Sequence, residues 1–201
     1  MHCTKPAEFG LNRNTWSGPK DCSFRFGTAY NEKYLYIAVD VTDEKSSGRT
    51  SAKPWRQDAV EVRLDVRPEN RWMRKGRSEA QRPYLLFLMN PGGKPEETAI
   101  YEPEKLPEGA RAVCLRTPTG HATEIAVPIE YLNEYQGGAW KAFRLNVAAD
   151  DLDAAREGVQ IRWRPAWQGG MDYPGSGRFV KSMGQAAPRK SESGEKGRER
   201  R

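Results

Sequence analysis

Two residues six positions apart, Trp55 and Glu61 in the run PWRQDAVEVRLDV (54–66), are of the types that hold a polyhydroxylated ring. A flat aromatic side chain buries apolar C–H surface at small conformational cost, and a carboxylate accepts hydrogen bonds from hydroxyl groups. A ligand with one apolar face and a hydroxyl rim, such as a sugar, calls for both. Within the run, Val60, Val62, Leu64 and Val66 share one parity and Glu61, Arg63 and Asp65 the other. That alternation predicts a strand with one face in a core and a charged face in water.

Other chemistry is thinly supplied. There are two histidines: His2 lies near the start, and His121 falls in a PTGH turn where an exposed position is expected. A Ser/His/Asp or Cys/His arrangement has little to build on, and GxSxG, HExxH and phosphate-loop motifs are absent. Carboxylates are plentiful, but no motif marks a hydrolytic pair. Asp150, Asp151 and Asp153 cluster after a run of alternating residues, in what reads as a loop, and suit a hard cation such as calcium. The spacing is not that of an EF-hand, and an aspartate-rich turn is the competing reading. Cys3, Cys22 and Cys114 fit no zinc, redox or haem-attachment spacing; free thiols are expected over a Cys22–Cys114 bridge.

The elements that position these residues alternate with period two. SFRFGTAY and YLYIAVDV flank the polar turn Asn31-Glu32-Lys33 and read as a hairpin. YLLFLMN (84–90) is nearly continuous in apolar residues, as in a strand covered on both faces. AVCLRT (112–117) and HATEIAVPI (121–129) form a second hairpin, and FRLNVAAD (143–150), VQIRWRP (159–165) and RFVKSM (178–183) complete the set. Only IEYLNEY (129–135), after Pro128, suggests a helical turn. About nine strands with Gly/Pro-rich joints predict an all-β protein, a single-domain antiparallel β-sandwich of jelly-roll type.

The 201 residues carry a formal charge of +6 and a mean hydropathy of −0.85. From Ala186 onward six basic residues outnumber three acidic ones, so half of that charge lies in the last stretch. The expected organisation is a domain over 9–185 and a disordered basic tail over 186–201. What remains is no nucleic-acid footprint, and no segment has the length of a membrane span. The start MHCTKPAEFG has no apolar centre, so no signal peptide is visible.

The succession AYNEKYLYIAVDVTD, PWRQDAVEVRLD, TEIAVPIEYL and FRLNVAADDLD, then a tryptophan-bearing strand and a closing F-x-x strand, resembles the family 9 carbohydrate-binding modules and their wider relatives. The resemblance covers roughly residues 16–183 and rests on the order of the motifs. It implies a non-catalytic β-sandwich that binds the ends of sugar chains or short sugars. It also implies structural calcium, and a place outside the cell or in the periplasm beside an attached glycoside hydrolase, as one piece of a longer secreted chain. By position, Trp55 matches the stacking tryptophan and Glu61 the acid that accepts sugar hydroxyls. Asn146 and Asp150 match polar residues at a strand end. The second aromatic belongs near Met171-Asp172, where Trp167 or Tyr173 stands in. The family's basic residue falls in YLLFLMN, and nothing basic is there. Two other readings stay open: a haem-binding electron-transfer sandwich, with ligands drawn from Met89, Met171, Met183, His121 and lysines, and a purely structural docking module.

Overall fold

A computed structural model describes residues 1–6, 8–11, 13–45, 53–69, 84–154, 157–164 and 177–182. The described strands are β1 (His2–Cys3), β2 (Glu8–Leu11), β3 (Cys22–Tyr30), β4 (Tyr34–Asp43), β5 (Ala59–Asp65), β6 (Leu85–Asn90), β7 (Ala99–Ile100), β8 (Arg111–Thr117), β9 (Gly120–Pro128), β10 (Ala142–Ala154), β11 (Glu157–Arg162) and β12 (Gly177–Val180). One helix, α1 (Ile129–Gln136), follows Pro128 as the IEYLNEY run implied. All nine expected strands form. The additional ones, β1, β2 and β7, have two to four residues each, too short for alternation to reveal.

The strands make two antiparallel sheets. One has the order β1-β3-β4-β9-β8 and the other β2-β11-β10-β5-β6-β7, with β12 paired to β10. Long β10 organises the second sheet: β5 lies along one side over 144–150, while β12 and β11 share the other side at its two ends. The hairpin β3–β4 closes as an Asx turn, in which Asn31 Oδ1 accepts the Lys33 and Tyr34 N–H groups, both at 2.8 Å. At the β8–β9 turn only glycine fits: Gly120 has φ +139°, and a Cβ there would lie 2.2 Å from the Val41 carbonyl oxygen.

Between the sheets lies one hydrophobic cluster. Phe24, Phe26, Ile37 and Val39 face Val60, Val62, Phe87, Leu145 and Ile161. Trp140 is buried in it, and Trp16 and Trp163 pack against it from its margins. Cys3, Cys22 and Cys114 are free and buried.

Two expectations fail here. The charged parity of β5 is not in water: Glu61 is 5% exposed, Arg63 1% and Asp65 0%. The charges are tolerated because they are matched. Arg63 Nη2 donates to Glu61, and Arg67 Nε and Nη2 donate to Asp65 at 2.9 and 2.7 Å. Nor is His121 an exposed turn residue. It is the first inward-facing residue of β9, on the parity of Thr123, Ile125 and Val127, and is fully buried with no hydrogen-bond partner on either ring nitrogen.

Burial pushes the His121 imidazole from 6.5 down to about 4, against the pull of the Asp40 carboxylate. The unfolded chain therefore takes up a proton near pH 6.5 and the folded chain only near 4. Stability is fully present above pH 6.5 and falls as pH drops towards 4, by about 3 kcal/mol from this group. Denaturation of the wild type and His121→Leu across pH 7 to 4 measures this as the difference between the two slopes. Identical slopes would remove His121 as the cause.

Candidate functional site

Trp55 stands in a turn just before β5. The Arg56 N–H donates to the Lys53 carbonyl at 2.9 Å, with Pro54 setting the turn. Asn90, at the end of β6, holds this turn to the sheet: its Nδ2 donates to the carbonyls of Pro54 and Asp58, each at 2.9 Å. The indole is 42% exposed and meets the Tyr101 ring edge-on, with centroids 5.7 Å apart and planes at 88°. Tyr101 is fixed in turn by its N–H donating to the Leu88 carbonyl at 2.9 Å, and Leu88 is the cross-strand partner of Glu61. The fold thus brings an accessible aromatic pair to the edge of the sheet face that carries Glu61.

That face, the one turned away from the core, holds a polar layer. Glu61 and Arg63 of β5 lie beside Asp150 of β10 and Gln160 and Arg162 of β11, all buried. Gln160 Nε2 donates to Asp150 Oδ1 at 2.6 Å, and Asp150 Oδ2 has no partner. Burial drives the Asp150 carboxyl well above its ordinary range, Glu61 adds to this, and Gln160, Arg63 and Arg162 oppose it. Asn146 shares the face, but its amide closes on the backbone of Arg164: it donates to that carbonyl and accepts from that N–H, both at 3.2 Å. Trp167 and Tyr173 lie outside the described residues. Met89 and His121, offered by the sequence as haem ligands, are both buried in the core.

The aspartate run divides. It is not a loop but the end of β10, so successive side chains point to opposite faces. Asp150 joins the polar layer. Asp151 joins Asp43 and Asp58, all three buried, while Asp153 joins Asp21 and Glu44; within each trio one carboxylate oxygen per residue lies within 4.8 Å of the others. Asp58 Oδ1 accepts the Leu152 N–H at 3.0 Å and Asp43 Oδ1 the Lys45 N–H at 2.7 Å. Asp43 Oδ2 and Asp151 Oδ1 are buried without a partner. Burial, then neighbouring carboxylates, raise Asp151 to about 8; burial also raises Asp43 to about 6, against the Lys45 N–H. Orphaned oxygens among like charges, each desolvated, fit a hard divalent cation with an all-oxygen shell.

Sequence reasoning named Trp55, Glu61, Asp150, Asp151 and Asp153, and the structure places Glu61 with Asp150 in the polar layer and Asp151 and Asp153 in two separate carboxylate groups. It missed Tyr101, Arg63, Gln160 and Arg162, because strand parity marks a face without saying which residues of other strands share it. It did not name Asp21, Asp43, Glu44 and Asp58, which the structure sets beside Asp151 and Asp153, because folding alone brings these positions together. Of these, Asp58 was within view, three residues after Trp55 in WRQD.

The arrangement makes Asn90 the tie between platform and sheet. Asn90→Ala leaves two carbonyls without their donor and is expected to cost about 2 kcal/mol in urea unfolding at unchanged m-value. A cost under about 0.5 kcal/mol, the level of an ordinary surface substitution, would mean the Trp55 turn holds itself.

Residues 7–169 match the model of a family described as carbohydrate family 9 binding domain-like. No curated protein matches the sequence. Among solved structures, a family 9 carbohydrate-binding module from Caldicellulosiruptor kristjanssonii in complex with cellotriose aligns with a TM-score of 0.59 at 15% identity, over 92% of this chain and 86% of that one. A family 9 module from the same organism in complex with glucose aligns with a TM-score of 0.58 at 17% identity, over 90% and 87%. These likenesses establish the sandwich fold.

Proposed function

Because the chain belongs to the carbohydrate family 9 binding domain-like proteins, we propose that it is a non-catalytic saccharide-binding module whose ligand rests on Trp55. The observation that carries the reading is the accessible indole, propped by Tyr101 at the edge of the face that bears Glu61. The indole takes the C–H face of a sugar ring and the carboxylate takes hydroxyl protons. The solved relatives hold cellotriose and glucose, so glucose-based sugars are the first ligands to test. The setting proposed is extracellular or periplasmic, with the module serving an attached enzyme of glycoside hydrolysis and carbohydrate catabolism.

Calorimetry with glucose and cellotriose tests this. The expected dissociation constants lie between roughly 10 µM and 1 mM, as one stacked ring and a few hydrogen bonds supply. Trp55→Ala weakens them at least about tenfold. No heat with millimolar sugar, or equal binding by the variant, would overturn the reading.

We also propose that Asp43, Asp58 and Asp151 hold a structural calcium ion. The support is the partnerless oxygens Asp43 Oδ2 and Asp151 Oδ1 and the close approach of all three carboxylates. When bound, the ion supplies the positive charge that this group lacks, and Asp58 then fastens the Trp55 turn to the end of β10 through its bond to the Leu152 N–H. Calcium at about a hundred times its dissociation constant adds about 2.7 kcal/mol, which raises the melting temperature by at least about 5 °C over chelator-treated protein. Asp151→Asn loses most of that response. Identical melting with calcium and with chelator would reject the site.

A further inference from the structure

At the end of β4 opposite Asp43, the sandwich carries a groove that saccharide binding does not use. The β3–β4 turn, the loop before β8 and helix α1 enclose about 730 Å³. Tyr34, Pro128 and Tyr131 line it with apolar surface, and the Ile129 N–H fastens α1 to the turn by donating to the Lys33 carbonyl at 2.9 Å. Glu32, Glu108, Glu130 and Glu134 stand exposed around it, against Lys33. Among the described residues, none of these four carboxylates is in an ion pair. Like charges lining a hollow focus their field into it, and the face of a tyrosine ring attracts a cation as well. Tyr34 already takes one, for the Arg111 guanidinium lies 5.8 Å from its ring centroid.

The chain leaves β12 next to this groove. Tyr30 Oη donates to the Ser182 carbonyl at 2.6 Å, and Lys181 Nζ lies over the Trp140 and Tyr30 rings, 5.0 and 5.9 Å from their centroids. Tyr30 is the last residue of β3, just before the turn that carries Glu32. Arg189 and Lys190, the first cations of the basic segment, follow seven and eight residues after Ser182. Seven extended residues span at most roughly 25 Å. The length of β3 sets Cys22, next to Asp21 and the carboxylates around it, roughly 27 Å from Tyr30. The groove is within easy reach of the Arg189–Lys190 pair, and the carboxylates at the far end lie at or past its limit.

We propose that the basic segment 186–201 docks in this groove of its own chain, with Arg189 and Lys190 set among Glu32, Glu108, Glu130 and Glu134. The charges match: the segment's six basic residues outnumber its three acidic ones, and the groove sets four glutamates against one lysine. Exposed ion pairs are weak one by one, and the tether compensates by holding the segment at a roughly millimolar effective concentration. The contact gathers the segment's cations at the end of the sandwich opposite Asp43 and Asp58, so the Trp55 platform stays uncovered.

A paramagnetic label on the full chain tests it. Cys3, Cys22 and Cys114 are buried, so a nitroxide reagent attaches to Ser193→Cys alone. In low salt the label should broaden the amide resonances of Lys33, Gly109 and Tyr131 until most of their intensity is lost, and leave those of Trp55, Glu44 and Asp153 sharp. The intensity should return in 1 M salt, where screening falls to about 3 Å. It should also return in Arg189→Glu/Lys190→Glu, a change outside the sandwich, and in Glu130→Lys/Glu134→Lys, on the exposed side of α1. The proposal is overturned if the groove amides keep their intensity, if broadening is spread evenly over the surface or centred on Glu44 and Asp153, or if neither charge reversal relieves it. Mixing labelled chains with isotope-enriched chains that lack the label separates the two possible donors of the segment. Sharp groove amides in the mixture support docking within one chain; broadened ones assign the groove to a second copy and refute the proposal.

Discussion

Strand β5 has no wet face. Its apolar parity enters the sandwich core, and its charged parity is buried as deeply on the other side of the sheet. Charges removed from water must be neutralised where they stand, and here the partners come from the same stretch of chain: Arg63 for Glu61, two residues away, and Arg67 for Asp65. Cross-strand neighbours on β10 and β11 extend this into a polar layer containing Asp150, Gln160 and Arg162. The other sheet is built differently. Its outward side keeps an exposed Tyr36 and the solvent-facing Arg25–Asp40 ion pair, so its charges carry little energetic consequence. The two outer faces thus differ in where their charges sit, buried and paired on one and exposed on the other.

The start of β5 ties three features together. The turn at 53–58 carries Trp55 outward and Asp58 inward within four residues. Asn90 clamps the backbone of that turn through Pro54 and Asp58, and the Asp58 carboxylate reaches the Leu152 N–H of β10. The carboxylate group that suits a cation and the aromatic platform that suits a ring therefore share one short rigid segment. A cation held by Asp43, Asp58 and Asp151, as proposed above, would therefore steady the indole as well, without touching its ligand.

The sequence carried the sheets well. Nine strands and the short helix after Pro128 were legible because each has a period long enough to count. β1, β2 and β7 were not, since two to four residues show no period; they exist because longer strands offer them a free edge. Parity was legible, and burial was not. Alternation separated Val60 from Glu61 correctly, yet could not tell that the charged side would be covered, nor that His121 would open the inward face of β9. The aspartate run was read as a ligand cluster by proximity in sequence, and strand geometry sends its members to different groups. Trp55 was legible as an exposed aromatic because it precedes a strand instead of lying within one. Its neighbour Tyr101 was not, because forty-six positions of chain separate rings that the fold sets edge to face.

A crystal structure of the chain with cellotriose bound most directly tests the claim that the Trp55–Glu61 edge is the recognition surface. The account predicts a glucose ring lying flat on the indole of Trp55, with a hydroxyl within hydrogen-bonding distance of Glu61. Sugar density elsewhere, such as the acidic cleft between Lys33, Gly109 and Tyr131 at the far end of the other sheet, with Trp55 left bare, would contradict it.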